Sequence, residues 1–251
     1  MKIRSQKLRK GFTLIELLVV IAILGALAGV SYGIFSFLNS GDKQAAGENM
    51  KQVALALNNF KQNAARYPDD KSAEKYENDA KKKFEHLMPL KDETSNSYFR
   101  QLFANPKSSK SIEENQFYAK IPGVTKGDED TSAGECLKNG ENAFAYVLKD
   151  DPKAKVRTRT GVNGKNVPLL FCCVKTDMGV VPATELKFDM EAFGDYAMMY
   201  TTSGQLTALE ADEGLDKEDD TTGVLSSDPF PKDSRTKATT IENYVVAPPA
   251  M

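Results

Sequence analysis

From Leu17 to Gly41 the chain carries no charged residue over 25 consecutive positions, and its apolar character reaches back to Phe12. About 20 such residues are enough for a helix to cross a bilayer, so the segment is expected to span a membrane rather than to join a water-soluble core. Five basic residues, Lys2, Arg4, Lys7, Arg9 and Lys10, precede it without an intervening acid. Positive charge beside a span stays on the cytoplasmic side, which sends everything C-terminal to it across the membrane. A secretory signal would have a shorter apolar core with a small-residue cleavage site at its far end. Here the polar break comes first. An uncleaved signal anchor has the same topology.

Glu16 is harder to reconcile with a simple anchor. A carboxylate in a spanning helix costs about 2.5 to 3.5 kcal/mol near the bilayer centre and less toward the interface, so it calls for a partner. On the same helix Gly25, Gly29 and Gly33 recur every four residues with Ala22 and Ala26 beside them, a small surface that lets helices approach closely. Each glycine also weakens a helix by about 0.5 to 1 kcal/mol relative to Ala. The stripe therefore serves either packing or local unwinding.

The string GFTLIELLVVIAILGALAG, Gly11 to Gly29, resembles the N-terminal signature of type IV prepilins and type II secretion pseudopilins: a basic leader ending in Gly, then Phe, then Glu at the fifth position after that Gly. The resemblance implies cleavage between Gly11 and Phe12 by a prepilin peptidase, and N-methylation of the new Phe12 amine. It also implies that Glu16 faces the Phe12 amine of a neighbouring subunit, so that two buried charges compensate each other on assembly. Gly33 stands where the family often has proline. The implied partners are the prepilin peptidase, identical or related pilin subunits and the cytoplasmic membrane, with an assembly ATPase and platform protein acting indirectly. The implied location is the cytoplasmic membrane, with the N-terminus inside and the head outside, and after assembly a periplasmic or cell-surface filament.

Beyond the turn-like Asn39-Ser40-Gly41-Asp42, apolar residues at Ala46, Met50, Val53, Ala54, Leu57, Phe60 and Ala64 follow helical three-four spacing. Lys43, Glu48, Lys51, Asn58 and Lys61 lie on the other face. The spacing predicts an amphipathic helix that buries one side and stops before Tyr67-Pro68. Together with the apolar segment it would form a spine of about 80 Å. The expected organisation is a basic leader over 1–11, a membrane and assembly helix over 12–38, an amphipathic spine over 39–66 and an extracytoplasmic head over 67–251.

The head reads as helices first and strands last. A charged amphipathic helix is expected over 72–88, with Tyr76, Ala80, Phe84 and Leu87 on one face, and one or two helical turns around Tyr98 to Phe103. Residues 107–135 read as loop with one strand at Phe117 to Ile121. Further strands are expected at Ala143 to Leu148, Leu169 to Val174, Tyr196 to Thr201 and Leu206 to Leu209, the last two joined at Ser203-Gly204 as a hairpin. That order implies an α+β fold, a long N-terminal helix packed on a small antiparallel sheet.

Cys136, Cys172 and Cys173 lack the paired spacing of a zinc site. In an exported head Cys136 can pair with Cys172 or with Cys173, or all three can act as small buried hydrophobes. The acids of Glu210 to Asp220, with Asp212, Asp216, Asp219 and Asp220 as candidate ligands, offer the oxygens that calcium takes. They lack EF-hand order, and such runs are often only solvated surface. Losing the leader moves the net charge down by five, from −2 to −7, which gives no general reason to bind nucleic acid. The single histidine, His86, has no recognisable acid-base or metal partner, and no nucleotide-binding or hydrolase motif occurs. The expectation is a structural subunit without catalysis or an obligatory cofactor. A membrane-tethered binding or adhesive module is the alternative.

Overall fold

The computed structural model describes residues 14–82, 87–129, 134–150, 158–175, 179–211, 213–230 and 244–250, with the side chains of 14–16 and 22–39 outside that description. The protein divides into two compact units, Met1–Gly41 and Asp42–Met251. Helix α1 is assigned over Leu14–Ala64. In the first unit, Leu17, Leu18, Val19, Val20 and Ile21 are 59, 53, 49, 44 and 60% exposed. Five successive positions cover more than one turn of helix, so no face of this stretch is covered. Among the described residues, no helix is long and apolar enough to cross a membrane. Most of the uncharged run has its side chains outside those residues.

In the second unit, Ala46, Met50, Val53, Ala54, Leu57 and Phe60 of α1 are all buried to within 1% exposure, as three-four spacing demands. Glu48 and Lys51 face solvent as an ion pair of 2.7 Å. The helix stops at Ala64 because Ala65 turns left-handed, with φ 61°. Tyr67 then folds back, its hydroxyl donating to Asn58 Oδ1 at 2.7 Å.

Helix α2, Asp70–Ala80, starts earlier than its apolar pattern suggests, because Asp69 and Ser72 form a reciprocal capping box. Ser72 N donates to Asp69 Oδ1 at 2.7 Å, and Asp69 N donates to Ser72 Oγ at 2.8 Å. Tyr76 and Ala80 are buried as expected. Phe84 and His86 lie outside the described residues. Helix α3, Ser95–Ala104, is longer than the two turns its apolar cluster marks. No strand forms at Phe117 to Ile121: two 3₁₀ turns, Ser109–Ser111 (η1) and Glu114–Phe117 (η2), lead into it, and residues 118–121 are irregular. Glu113 caps η2 in a box with Gln116. Ile112, Phe117 and Ala119 enter the core, the Phe117 ring 5.1 Å from that of Phe99, and the Phe117 carbonyl accepts from Ala143 N at 2.8 Å.

Ten strands among the described residues form one sheet: β1 Phe144–Lys149, β2 Thr160–Gly161, β3 Pro168–Cys172, β4 Val181–Pro182, β5 Lys187–Asp189, β6 Tyr196–Thr201, β7 Leu206–Ala211, β8 Gly214–Lys217, β9 Thr222–Leu225 and β10 Tyr244–Ala247. Their order is β4-β10-β1-β3-β6-β7-β8-β9-β5, with β2 also on β1. The β6–β7 hairpin turns at Ser203-Gly204 as expected, and Gly204 there takes φ 90°. The sheet is not purely antiparallel, since β7 and β8 pair in parallel through Glu210–Gly214 and Ala211–Leu215. It also curls on itself. Asp189 N at the end of β5 donates to Cys173 O at 2.7 Å, and Lys175 N donates to Lys187 O at 3.0 Å, which ties the far strand back to the end of β3. Phe171 and Phe188 meet inside the curl at 5.7 Å.

Helix α3 is buried on its polar side as well as its apolar one. Arg100 Nε donates to Cys136 O at 3.0 Å, Nη2 to Leu137 O at 2.6 Å and Nη1 to Pro89 O at 3.2 Å. Gln101 Nε2 donates to Asp69 O and Leu90 O at 3.1 and 2.8 Å. Arg100→Leu keeps the stem's bulk and strands these carbonyls. It should cost about 2 to 4 kcal/mol in denaturant unfolding, whereas Lys82→Ala, whose side chain is 77% exposed, should stay within about 0.5 kcal/mol.

Candidate functional site

The residues singled out near the N-terminus fall at the margin of the description. Gly11 and Phe12 lie outside the described residues. Glu16, Gly25, Gly29 and Gly33 fall on the backbone of α1, with their side chains outside the description. What the structure does describe there is the uncovered apolar stretch Leu17–Ile21.

The acidic run of the head follows the sheet. Glu210 is the penultimate residue of β7, Asp216 lies on β8 opposite Val224, and Asp216, Asp219 and Asp220 are exposed. Asp219 Oδ1 accepts from Thr221 N at 2.8 Å and from Thr221 Oγ1 at 2.9 Å, and these bonds hold its carboxyl below the usual range. Glu218 pairs with Lys187 at 2.7 Å. Asp212 lies outside the described residues.

Cys136, Cys172 and Cys173 are all buried. No disulfide joins Cys136 to Cys172 or Cys173. Cys172 ends β3, and Cys173 follows with φ 66°, a reversal that turns the neighbouring sulfurs toward each other at 3.7 Å. The hydrogen bond to Cys172 and burial raise the Cys173 thiol pKa well above its ordinary value.

The carboxylates that converge are ones the sequence did not single out. Glu114, Asp128 and Glu141 each offer an oxygen, and these oxygens all lie within 4.8 Å of one another. Three segments bring them together. Glu114 opens η2, which Phe117 anchors against Phe99 and Phe103 at 5.1 and 6.0 Å. Asp128 follows Gly127 on the strand-free stretch after η2. Glu141 lies in the turn before β1, where its Oε2 accepts from Lys138 N at 2.6 Å. Leu137, at φ 52°, points its N–H at Glu114 Oε1, while its carbonyl is held by Arg100 and by Asn96 Nδ2.

Glu114 is 1% exposed and Glu141 8%, while Asp128 is exposed and paired with Lys138 Nζ. Glu114 Oε2 is buried with no hydrogen-bond partner. Burial first, with the charges of Glu141 and Asp128 and a hydrogen-bonding contact with Asp128 added to it, pushes the Glu114 carboxyl up to about 7 against the opposing Leu137 N–H. A hollow of about 250 Å³ opens beside Glu113, Glu114, Asn115 and Glu129. A second, wider hollow lies at Asp70, Asp92, Glu93, Tyr98 and Arg159. Its guanidinium is already committed to both Glu93 oxygens at 2.8 and 2.9 Å and to Asp92 O at 2.8 Å.

Gly127 presses its backbone on the buried carboxylate. A Cβ there would stand 2.5 Å from Glu114 Cγ and 2.6 Å from Oε2. With Glu114 fixed from the other side by Leu137, Gly127→Ala should destabilise the protein by about 1 to 3 kcal/mol in chemical denaturation, and the double variant with Glu114→Ala should lose less than the sum.

Residues 6–32 match the prokaryotic N-terminal methylation motif, the signature of type IV pilins and pseudopilins. The matched span contains Gly11, Phe12, Glu16, Gly25 and Gly29. No curated protein and no solved structure matches the chain.

Proposed function

We propose that this pilin-type signature serves a filament subunit, a component of a type IV pilus or of a type II secretion pseudopilus. The observation that carries the reading is the match over residues 6–32, and the uncovered stretch Leu17–Ile21 agrees with it. A helix apolar on every side is stable only inside lipid or among other apolar helices. A subunit that waits in the membrane and then stacks through its N-terminal helix meets both surroundings in turn.

In this reading a prepilin peptidase cuts between Gly11 and Phe12 and the Phe12 amine is methylated. The charge of Glu16 is then met by the Phe12 amine of a neighbouring subunit, in keeping with the pairing of intramembrane charges. Gly25, Gly29 and Gly33 give neighbouring helices close approach. Residues 12–38 form the membrane and assembly helix, with the N-terminus in the cytoplasm and the α+β head outside it. The α1 segment Ala46–Phe60, whose face of Ala46, Met50, Val53, Ala54, Leu57 and Phe60 is buried in the head's core, continues the chain from that helix as a spine. Catalysis forms no part of this role, and energy for assembly comes from a partner ATPase through a platform protein.

Mass spectrometry of the membrane-associated protein, in a host with active prepilin peptidase, should find a chain beginning at methylated Phe12. An intact Met1 would point instead to a tethered module. Glu16→Ala should leave that processing unchanged and lower recovery in sheared filaments by roughly tenfold or more, the scale of an unmet buried charge of a few kcal/mol.

A further inference from the structure

We propose that Glu114, Asp128 and Glu141 bind a hard divalent cation, calcium by preference, at a site separate from the acidic run Glu210 to Asp220. Three carboxylate oxygens within 4.8 Å of one another fit around one ion, since two oxygens on calcium at 2.3 to 2.6 Å stand at most about 5 Å apart. The donors are all oxygens, and neither histidine nor cysteine takes part, which disfavours zinc and copper. Their arrangement comes from three irregular segments. Calcium tolerates such irregular coordination, and magnesium, with its demand for a near-ideal octahedron, does not.

The second observation is Glu114 itself. Its side chain is 1% exposed, one oxygen accepts the Leu137 N–H, and the other, Oε2, is buried without a partner. A carboxylate oxygen removed from water and left unmet costs free energy. Glu141 and Asp128 bring further negative charge to it, and the Asp128 carboxyl lies within hydrogen-bonding reach of Glu114, so that acceptors face one another with a proton or a cation to share. The Lys138 ammonium binds Asp128 on the exposed side, and the buried Arg100 guanidinium, whose charge is felt by Glu114 and Glu141, spends its N–H groups on the Cys136, Leu137 and Pro89 carbonyls. Glu141 is held in place by the Lys138 N–H at 2.6 Å, and Gly127 lets the backbone close over Glu114 where any side chain would collide. Glu114 and Glu141 are thus held by backbone N–H groups and Asp128 by the Lys138 ammonium. The hollow beside Glu113 and Asn115, which Glu114 also lines, gives water access to that carboxylate. A bound ion would cross-link η2 to the turn that Arg100 and Asn96 hold against α3.

The test uses the full chain in detergent, stripped with a chelator and titrated with calcium chloride by calorimetry and by thermal unfolding. The wild-type protein should bind one calcium saturably, with a dissociation constant on the order of 10⁻⁴ to 10⁻³ M, and should melt at a higher temperature when loaded. Asp128→Asn, which alters an exposed carboxylate and so leaves the fold intact, should weaken binding by roughly tenfold or more. Glu114→Gln should abolish the calcium-dependent rise while unfolding as cooperatively as the stripped wild type. A triple variant Asp216→Asn, Asp219→Asn, Asp220→Asn should retain both signals. The proposal is overturned by the absence of heat and shift in the wild type, which would leave a proton shared among the three carboxyls. It is equally overturned by a calcium shift that survives Glu114→Gln, or by magnesium raising the melting temperature as much as calcium.

Discussion

The guanidinium of Arg100 and the amides of Asn96 and Gln101 hold the loops of the head by their carbonyl oxygens. A buried acceptor without a donor is more costly than an average hydrogen bond is favourable, so segments without regular structure survive inside a core only where side chains replace the missing ladder. Helix α3, buried over nearly its whole length, supplies those donors beside the rings of Phe99 and Phe103. Through Arg100 it fixes residues 136–137, through Gln101 the cap of α2, and through Asn96 the turn before β1 and the N–H of Ala250 at 2.9 Å. The converging carboxylates lie on the far side of this same turn. Their geometry is a by-product of where α3 places the backbone.

The two units obey different solvents. In the second, one face of α1, from Ala46 to Phe60, is apolar and buried to within 1%, while charged residues such as Glu48 and Lys51 take the other. In the first, the described apolar residues are uncovered on every side. A chain with both properties is at ease only where part of it leaves water, and the N-terminal methylation motif lies over that part.

The apolar periodicity of α1 and the hairpin at Ser203-Gly204 were legible because one face or one turn decides them. The capping box at Asp69 and Ser72 was equally present in the sequence, but an apolar pattern beginning later hid it. Elsewhere the sequence misleads for a physical reason. Phe117 in polar surroundings reads as the start of a strand, yet it closes a 3₁₀ turn and makes a single backbone bond to Ala143 N in place of a ladder. The strands β2, β4, β5, β8 and β9 are two to four residues long, too short for alternation to register, and β8 lies within an acidic run that reads as solvated loop. Tyr244–Ala247 is a buried run of equal brevity. The carboxylate cluster gathers residues 114, 128 and 141, and no spacing rule joins them, since loops held by Arg100 decide which acids meet.

The strand β10 is inserted between β1 and β4, with Tyr146 opposite Ala247. Its partner β1 therefore waits through roughly a hundred residues of chain before its outer edge is covered, a pairing of high contact order. Until then Phe144–Lys149 presents open N–H and C=O groups beside a strand that is buried in the finished sheet, a template for pairing with other molecules. For a polypeptide delivered N-terminus first, the sheet thus acts as a check on delivery. The head can close only around a chain that has arrived as far as Tyr244, and one that stalls earlier displays its incompleteness as a sticky edge.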